Sequence, residues 1–225
     1  MKEKVAFGDR LRSPFSTKVV VLIPIAVGIN VIGGMLSSVL KLPLFLDTIG
    51  TVVIACLASP WVAALCGLLT SIFLALVANP VFLPYAVVSV LCGLTVGYMV
   101  RAGLFKRIWG VCLIWIALTL VNAFSAGIVT FFVFGGATGV NATSFLTASL
   151  VAATREIFLS VMTSALLENF IDKGISLAIA YVIVRKIPRR FISQYMGATK
   201  AHRAADPDDF DDVDDAESND DSEWK

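Results

Sequence analysis

Long apolar runs separated by short polar or basic segments dominate the first 190 residues of the chain. A helix needs about 20 apolar residues to cross the hydrocarbon core of a bilayer. The pattern therefore predicts an all-α integral membrane protein with about six spanning helices over 18–190, between a basic segment (1–17) and a polar tail (191–225). The predicted spans are 18–40, 48–59, 61–78, 82–100, 108–134 and 163–184.

Two segments do not fit a simple span. The second run, 48–59, is short for a crossing, so a re-entrant half-helix is the alternative. The segment 141–162 is only moderately apolar and contains Arg155 and Glu156, which favours an interfacial helix or a cap. Residues 41–47 contain a proline between charged ends and predict a re-entrant or capping loop.

Charge distribution gives an orientation to this layout. With the N-terminus inside, 15 of the 18 Lys and Arg residues fall in cytoplasmic segments, and Lys41, Arg155 and Lys173 are the exceptions. Positive charge accumulates on the cytoplasmic side of membrane proteins. The asymmetry predicts that both termini are cytoplasmic, in a multi-pass protein of a bacterial plasma membrane.

The overall composition supports a membrane protein and excludes several functions. Hydrophobic residues make up 57% of the chain and charged residues 16%, against about 25% charged in soluble domains. The sole histidine, His202, lies in the tail, and the four cysteines sit in apolar runs without CxxC spacing. There is no GxxxxGK[ST] phosphate loop. We expect no catalytic residues, no metal or cofactor and no nucleic-acid partner.

Polar side chains in the last span are the main candidates for a binding site. Ionisable groups at membrane depth are costly and usually face a cavity or a partner. The alternative is an internal ion pair, or a helix that begins later and leaves these residues at the interface. Polar residues near the outer loops and in the fifth span would complete a pocket. The predicted substrate-binding residues are Asp47, Thr48, Asn79, Tyr85, Asn122, Ser125, Glu168, Asn169, Asp172 and Lys173.

The first span carries small or polar residues at intervals of four, namely Ala26, Asn30, Gly34 and Ser38. Small residues at this spacing let another helix approach closely. The row predicts either packing against the protein's own helices or docking to a partner membrane subunit. Asn30 lies well inside the apolar run, so its amide requires a hydrogen-bond partner.

Three segments together resemble the substrate-binding S components of energy-coupling factor (ECF) transporters. They are LPLFLDTIGT at 42–51, the turn Ser59-Pro60-Trp61, and ENFIDKGIS at 168–176 before Ile187-Pro188. The resemblance covers roughly 18–190. It implies a six-helix protein that captures a vitamin or related micronutrient from outside and docks on one membrane scaffold and two ATPase subunits. It also implies a small-xxx-small docking motif, for which Ala26 and Asn30 are the nearest match, with the second alanine replaced.

A second hypothesis starts from the tail, which holds 11 of the 17 acidic residues within 205–225. Such a composition predicts a disordered, solvated segment. In a membrane sensor or interaction subunit, the tail would recruit a cytoplasmic partner. Deleting 205–225 would spare transport but abolish such signalling. An intramembrane enzyme is disfavoured because the chain lacks catalytic groups within the spans.

Overall fold

The computed structural model describes residues 17–139 and 142–187, which form seven α-helices and no strand within these ranges. The basic segment before residue 17 and the acidic tail lie outside the described residues. The helices are α1 (Thr17–Val39), α2 (Ile49–Leu57), α3 (Pro60–Val77), α4 (Ala86–Arg101), α5 (Ile108–Phe134), α6 (Thr143–Thr154) and α7 (Ile157–Lys186). Short 3-10 turns at Pro80–Phe82 and Leu104–Lys106 precede α4 and α5.

Within the described ranges, three helices are long and apolar enough to cross a bilayer, over Val19–Val39, Pro60–Val77 and Ile108–Phe134. The all-helical membrane architecture is therefore confirmed in its coarse form. The number of six crossings and the cytoplasmic placement of both ends stay predictions. Helix α2 is shorter than the expected 48–59 span: its nine residues extend about 14 Å at 1.5 Å per residue.

Helices α3 and α4 form the most closely packed pair, because glycines face the contact. A Cβ on Gly93 would lie 2.6 Å from the backbone oxygen of Ala63, and one on Gly67 would lie 2.5 Å from the backbone oxygen of Ser89. The apolar core extends from this pair to α1, α2 and α5 through Val62, Val96 and Ile114, each fully buried. This packing fixes α2 in the middle of the bundle.

Helices α6 and α7 form an antiparallel hairpin. Side-chain hydrogen bonds join Thr143 to Glu168 (2.6 Å), Thr147 to Ser164 (2.7 Å) and Thr154 to Ser160 (2.9 Å). The last helix thus begins at Ile157, six residues before the predicted start at 163, and is 30 residues long. The alternative in which it begins later, leaving its charged residues at an interface, is wrong.

The segment 40–48, here called the 40–48 loop, connects α1 to α2 and lies against α1. A Cβ on Gly33 would overlap the backbone oxygen of Leu46, so only glycine allows this approach. Lys41 and Leu46 both have positive φ, at 50° and 53°. Such a conformation is uncommon for residues other than glycine, which shows that the surrounding contacts fix the path of the loop.

The amide of Asn30 is the polar centre of the α1–α2–α3 contact. Its Nδ2 donates to Thr51 Oγ1 (2.9 Å) and Thr70 Oγ1 (3.0 Å), and its Oδ1 accepts from the backbone N–H of Gly50 (2.6 Å). The expected requirement for a partner is thus satisfied by the protein's own helices.

The row of small residues on α1 packs mainly inside the bundle. Ala26, Asn30 and Gly34 are buried, whereas Ser38 is half-buried. Ala26 meets the backbone at Gly50, and Gly34 meets the side chain of Leu74. Of the two alternatives for this row, the structure therefore shows internal packing for these three residues. Docking of this row to a partner subunit stays a prediction.

We expect Asn30→Ala to lower the stability of the bundle by about 2–3 kcal/mol, because it leaves the buried N–H of Gly50 without its acceptor and removes the donor to Thr51 and Thr70. Thermal unfolding of the purified chain in nanodiscs measures the effect. Ser38→Ala is the matched control on the same helix and should unfold close to the wild-type temperature. Equal melting temperatures of the two variants would contradict a stabilising role for the hydrogen bonds of Asn30.

Candidate ligand-binding site

A cavity of about 490 Å³, counting its mouth, lies between the 40–48 loop and helices α2, α4, α5 and α7. Its walls combine polar side chains from the loop and from all four helices with aromatic and apolar ones, a composition typical of small-molecule sites. The lining residues are Phe45, Asp47, Thr48, Thr51, Phe82, Tyr85, Val88, Ser89, Cys92, Asn122, Ala126, Asn169 and Lys173.

The ammonium group of Lys173 is the centre of the polar wall. Its Nζ lies 2.7 Å from Asp172 Oδ2 and donates to Thr48 Oγ1 at 2.7 Å, with Asp47 Oδ1 at 3.7 Å. Thr48 in turn donates to Asp47 Oδ1 at 3.1 Å. Lys173 and Asp172 are 4% and 0% exposed. A buried charge at such a position is stable only when it is paired and hydrogen-bonded, and this cluster meets both conditions.

Asp172 also holds the 40–48 loop against α7. Its Oδ1 accepts hydrogen bonds from the backbone N–H groups of Phe45 (3.0 Å) and Leu46 (2.8 Å). These donors belong to irregular backbone inside the bundle, where an unpaired N–H group would be costly. One carboxylate therefore binds the loop through one oxygen and Lys173 through the other.

A second cavity adjoins the first and lies under the α6–α7 hairpin. The two share Phe45, Tyr85, Ala126 and Asn169 in their linings. Glu168 lines the second cavity and accepts from Thr143, while the Tyr85 hydroxyl pairs with Thr130 Oγ1 at 2.6 Å. The carboxyl group of Asp47 lines the first cavity, and that of Glu168 lines the second.

The structure brings together eight of the ten residues predicted to bind substrate. Seven line the cavities, and Asp172 supports them from behind. Asn79 and Ser125 are not among the lining residues. Asn79 instead accepts from the N–H of Val81 and caps the 3-10 turn, and Ser125 donates to the carbonyl of Val121 one turn earlier on α5.

The sequence reasoning missed the aromatic and small lining residues. Phe45 and Phe82 pack edge to face with ring centroids 6.3 Å apart, and Cys92 and Ala126 also line the first cavity. Phe45 lies two residues before Asp47 in the predicted capping loop, and this position could have indicated from the sequence that it lines the site. The others stand in uniformly apolar runs, where no local pattern separates a cavity wall from a lipid-facing or packed position.

A comparison of the chain with protein-family models identifies a matching family. The model described as the substrate-specific component of ECF transporters matches residues 18–184. The chain belongs to this family. Comparisons with curated proteins and with solved structures found no match. This substrate-specific component is therefore a membrane-embedded, substrate-binding subunit of an ECF transporter.

Proposed function

We propose that the cavity behind the 40–48 loop is where this substrate-specific component captures a vitamin or related micronutrient. The observation that carries the proposal is the cavity itself, lined by buried polar groups of α5 and α7 and by aromatic rings. Asn122, Asn169 and Lys173 provide the polar contacts, and Phe45 with Phe82 provides apolar surface. A few convergent polar groups in a mostly apolar hollow favour the capture of one small molecule.

The proposal includes delivery to the opposite side of the membrane with partner subunits. The component carries no phosphate-binding loop, so the energy for transport would come from two ATPase subunits bound through a membrane scaffold. Family membership supports such an association. Affinity purification of the full chain in mild detergent from its own host should recover a scaffold and ATPases, and repeated failure to recover them would contradict this part.

The capture step predicts that Asn122→Leu releases the bound compound. The substitution removes a polar group from the cavity wall and fills the space beside it. Wild-type and variant chains are purified in nanodiscs, denatured, and the released small molecules quantified by mass spectrometry. We expect one compound enriched in the wild type and reduced at least about tenfold in the variant, equivalent to 1.4 kcal/mol.

Ser125→Ala is the matched control, because Ser125 lies on the same helix but not in the cavity lining. It should retain the compound at the wild-type level. Loss from both variants would indicate general damage to α5, and no enriched compound in any preparation would contradict capture.

A further inference from the structure

Exposed basic side chains collect at the end of the bundle where the chain passes from α4 to α5 and where α7 ends. Three lie between the last residue of α4 and the first residue of α5, and two lie in the last turn of α7. This surface, here called the basic end, consists of Arg101, Lys106, Arg107, Arg185 and Lys186.

Aromatic contacts join the two parts of the basic end. The ring of Phe105 lies 5.6 Å from that of Tyr181, and the guanidinium of Arg185 lies 4.7 Å from the centroid of the same Tyr181 ring. The attraction of a cation for an aromatic face holds this guanidinium in place. Because Phe105 directly precedes Lys106 and Arg107 in the chain, the contact brings the two basic segments side by side.

Within 17–139 and 142–187, no carboxylate neutralises the basic end. Both ion pairs of these ranges belong to Lys173. The acidic residues of the same ranges are Asp47, Glu156, Glu168 and Asp172. Arg185 lies 13 residues beyond Asp172 on α7, about 20 Å along the helix axis. A surface that carries charge of one sign attracts an occupant of the opposite sign, so the basic end suits a polyanion.

The same chain contains such a polyanion in 205–225. Its side chains include 11 acidic groups and one basic group, a net charge of 1 − 11 = −10. The chain continues toward this segment from Ile187, at the end of the bundle that carries the basic surface. The connecting residues 188–204 can span up to about 56 Å, several times the roughly 8–10 Å between packed helices. Attachment to the same chain raises the effective concentration to about the millimolar range.

We propose that the acidic segment 205–225 binds the basic end of its own chain and covers this surface. Anionic lipid headgroups and an acidic partner protein are the competing occupants, and attachment to the same chain favours the segment over both. The contact gives the tail a binding site within its own chain rather than on a separate protein. It is independent of the ligand, because Arg185 lies about 18 Å along α7 from Lys173 in the cavity wall.

Carbodiimide cross-linking tests the contact, because the reagent joins a carboxyl group directly to a lysine that touches it. The full chain in phosphatidylcholine nanodiscs is cross-linked at about 0.15 M and about 1 M salt, and the linked peptides are identified by mass spectrometry. We expect links from 205–225 to Lys106 and Lys186 at the lower salt, largely lost at the higher, and none to Lys41 in the 40–48 loop. Links confined to other lysines, or no links, would overturn the proposal.

Two arginines provide a variant that preserves the cross-linking lysines. Arg107→Gln/Arg185→Gln removes two positive charges from the basic end, and we expect its links to Lys106 and Lys186 to fall at least about threefold, since exposed charge pairs are individually weak but act together. Arg155→Gln is the control, because Arg155 is exposed but precedes the opposite end of α7. It should cross-link as the wild type does, and equal yields from the two variants would overturn the proposal.

Two further arms of the experiment identify the occupant. In a mixture of chains with ordinary and heavy nitrogen, links within one isotope support binding to the same chain, whereas links between isotopes show binding to a second copy and overturn it. In nanodiscs that contain phosphatidylserine, persistence of the links supports the proposal. Their complete loss would assign the basic end to anionic lipid and overturn the acidic segment as its occupant.

Discussion

Replacing Asp172 with alanine is expected to free the 40–48 loop from α7 and abolish retention of the bound compound. The substitution leaves the N–H groups of Phe45 and Leu46 without an acceptor and removes the closest counter-charge of Lys173. Removing one partner of a buried ion pair typically costs about 3–5 kcal/mol. Thermal unfolding in nanodiscs and mass spectrometry of the released compound measure the two consequences.

The variant Asp172→Asn separates the two roles of this side chain. Its amide oxygen still accepts from the loop, but it no longer neutralises Lys173. We expect a stability between those of the wild type and Asp172→Ala. Glu156→Ala, which removes an exposed carboxylate, should behave as the wild type. Surface substitutions usually change the free energy of unfolding by no more than roughly 0.5 kcal/mol. A change this small for Asp172→Ala would refute the anchoring role.

Gly33→Ala is the second substitution with a large expected effect. The new methyl group would overlap the carbonyl oxygen of Leu46, which is backbone and cannot rotate away. The loop must then move from α1, which disturbs its two hydrogen bonds to Asp172. Overpacking of this kind typically costs about 1–3 kcal/mol, and we expect weaker retention of the bound compound as well.

Gly28→Ala provides the control on the same helix, because no atom lies within 4 Å of the position of its added Cβ. It should melt at or slightly above the wild-type temperature, since alanine favours helix over glycine. Hydrogen exchange at the amides of Phe45 and Leu46 reports on the loop directly. Faster exchange is expected in Gly33→Ala alone, and equal rates in both variants would argue against the steric explanation.

The sequence predicted the helical elements well where the apolar runs were long. The fifth span, 108–134, coincides with α5, and the first and third spans differ from α1 and α3 by about one residue at each end. The sequence places the start of α7 too late, because the apolar pattern of 141–162 continues through Arg155 and Glu156 and predicts a single interfacial segment. In the structure, Arg155 adopts a positive φ of 58° and ends α6, so the charged pair marks a tight turn.

The candidate site was predicted for residues whose chemistry is unusual in its surroundings. Charged groups in an apolar helix are conspicuous, so Asp172 and Lys173 were found from the sequence. Asn79 and Ser125 have the same polarity but satisfy local backbone groups, and sequence alone does not separate these roles. The pairing of Asp172 with loop backbone 126 and 127 residues away depends on tertiary structure.

The shortness of α2 limits how much of the bilayer depth this helix itself can occupy. This helix extends about 14 Å, less than half of the roughly 30 Å hydrocarbon core, and irregular chain adjoins its first residue. Thr48 and Thr51, at the beginning of this helix, line the cavity. Eight of the nine residues of α2 are buried, so the floor beside these two threonines is formed by a helix that touches other helices rather than lipid.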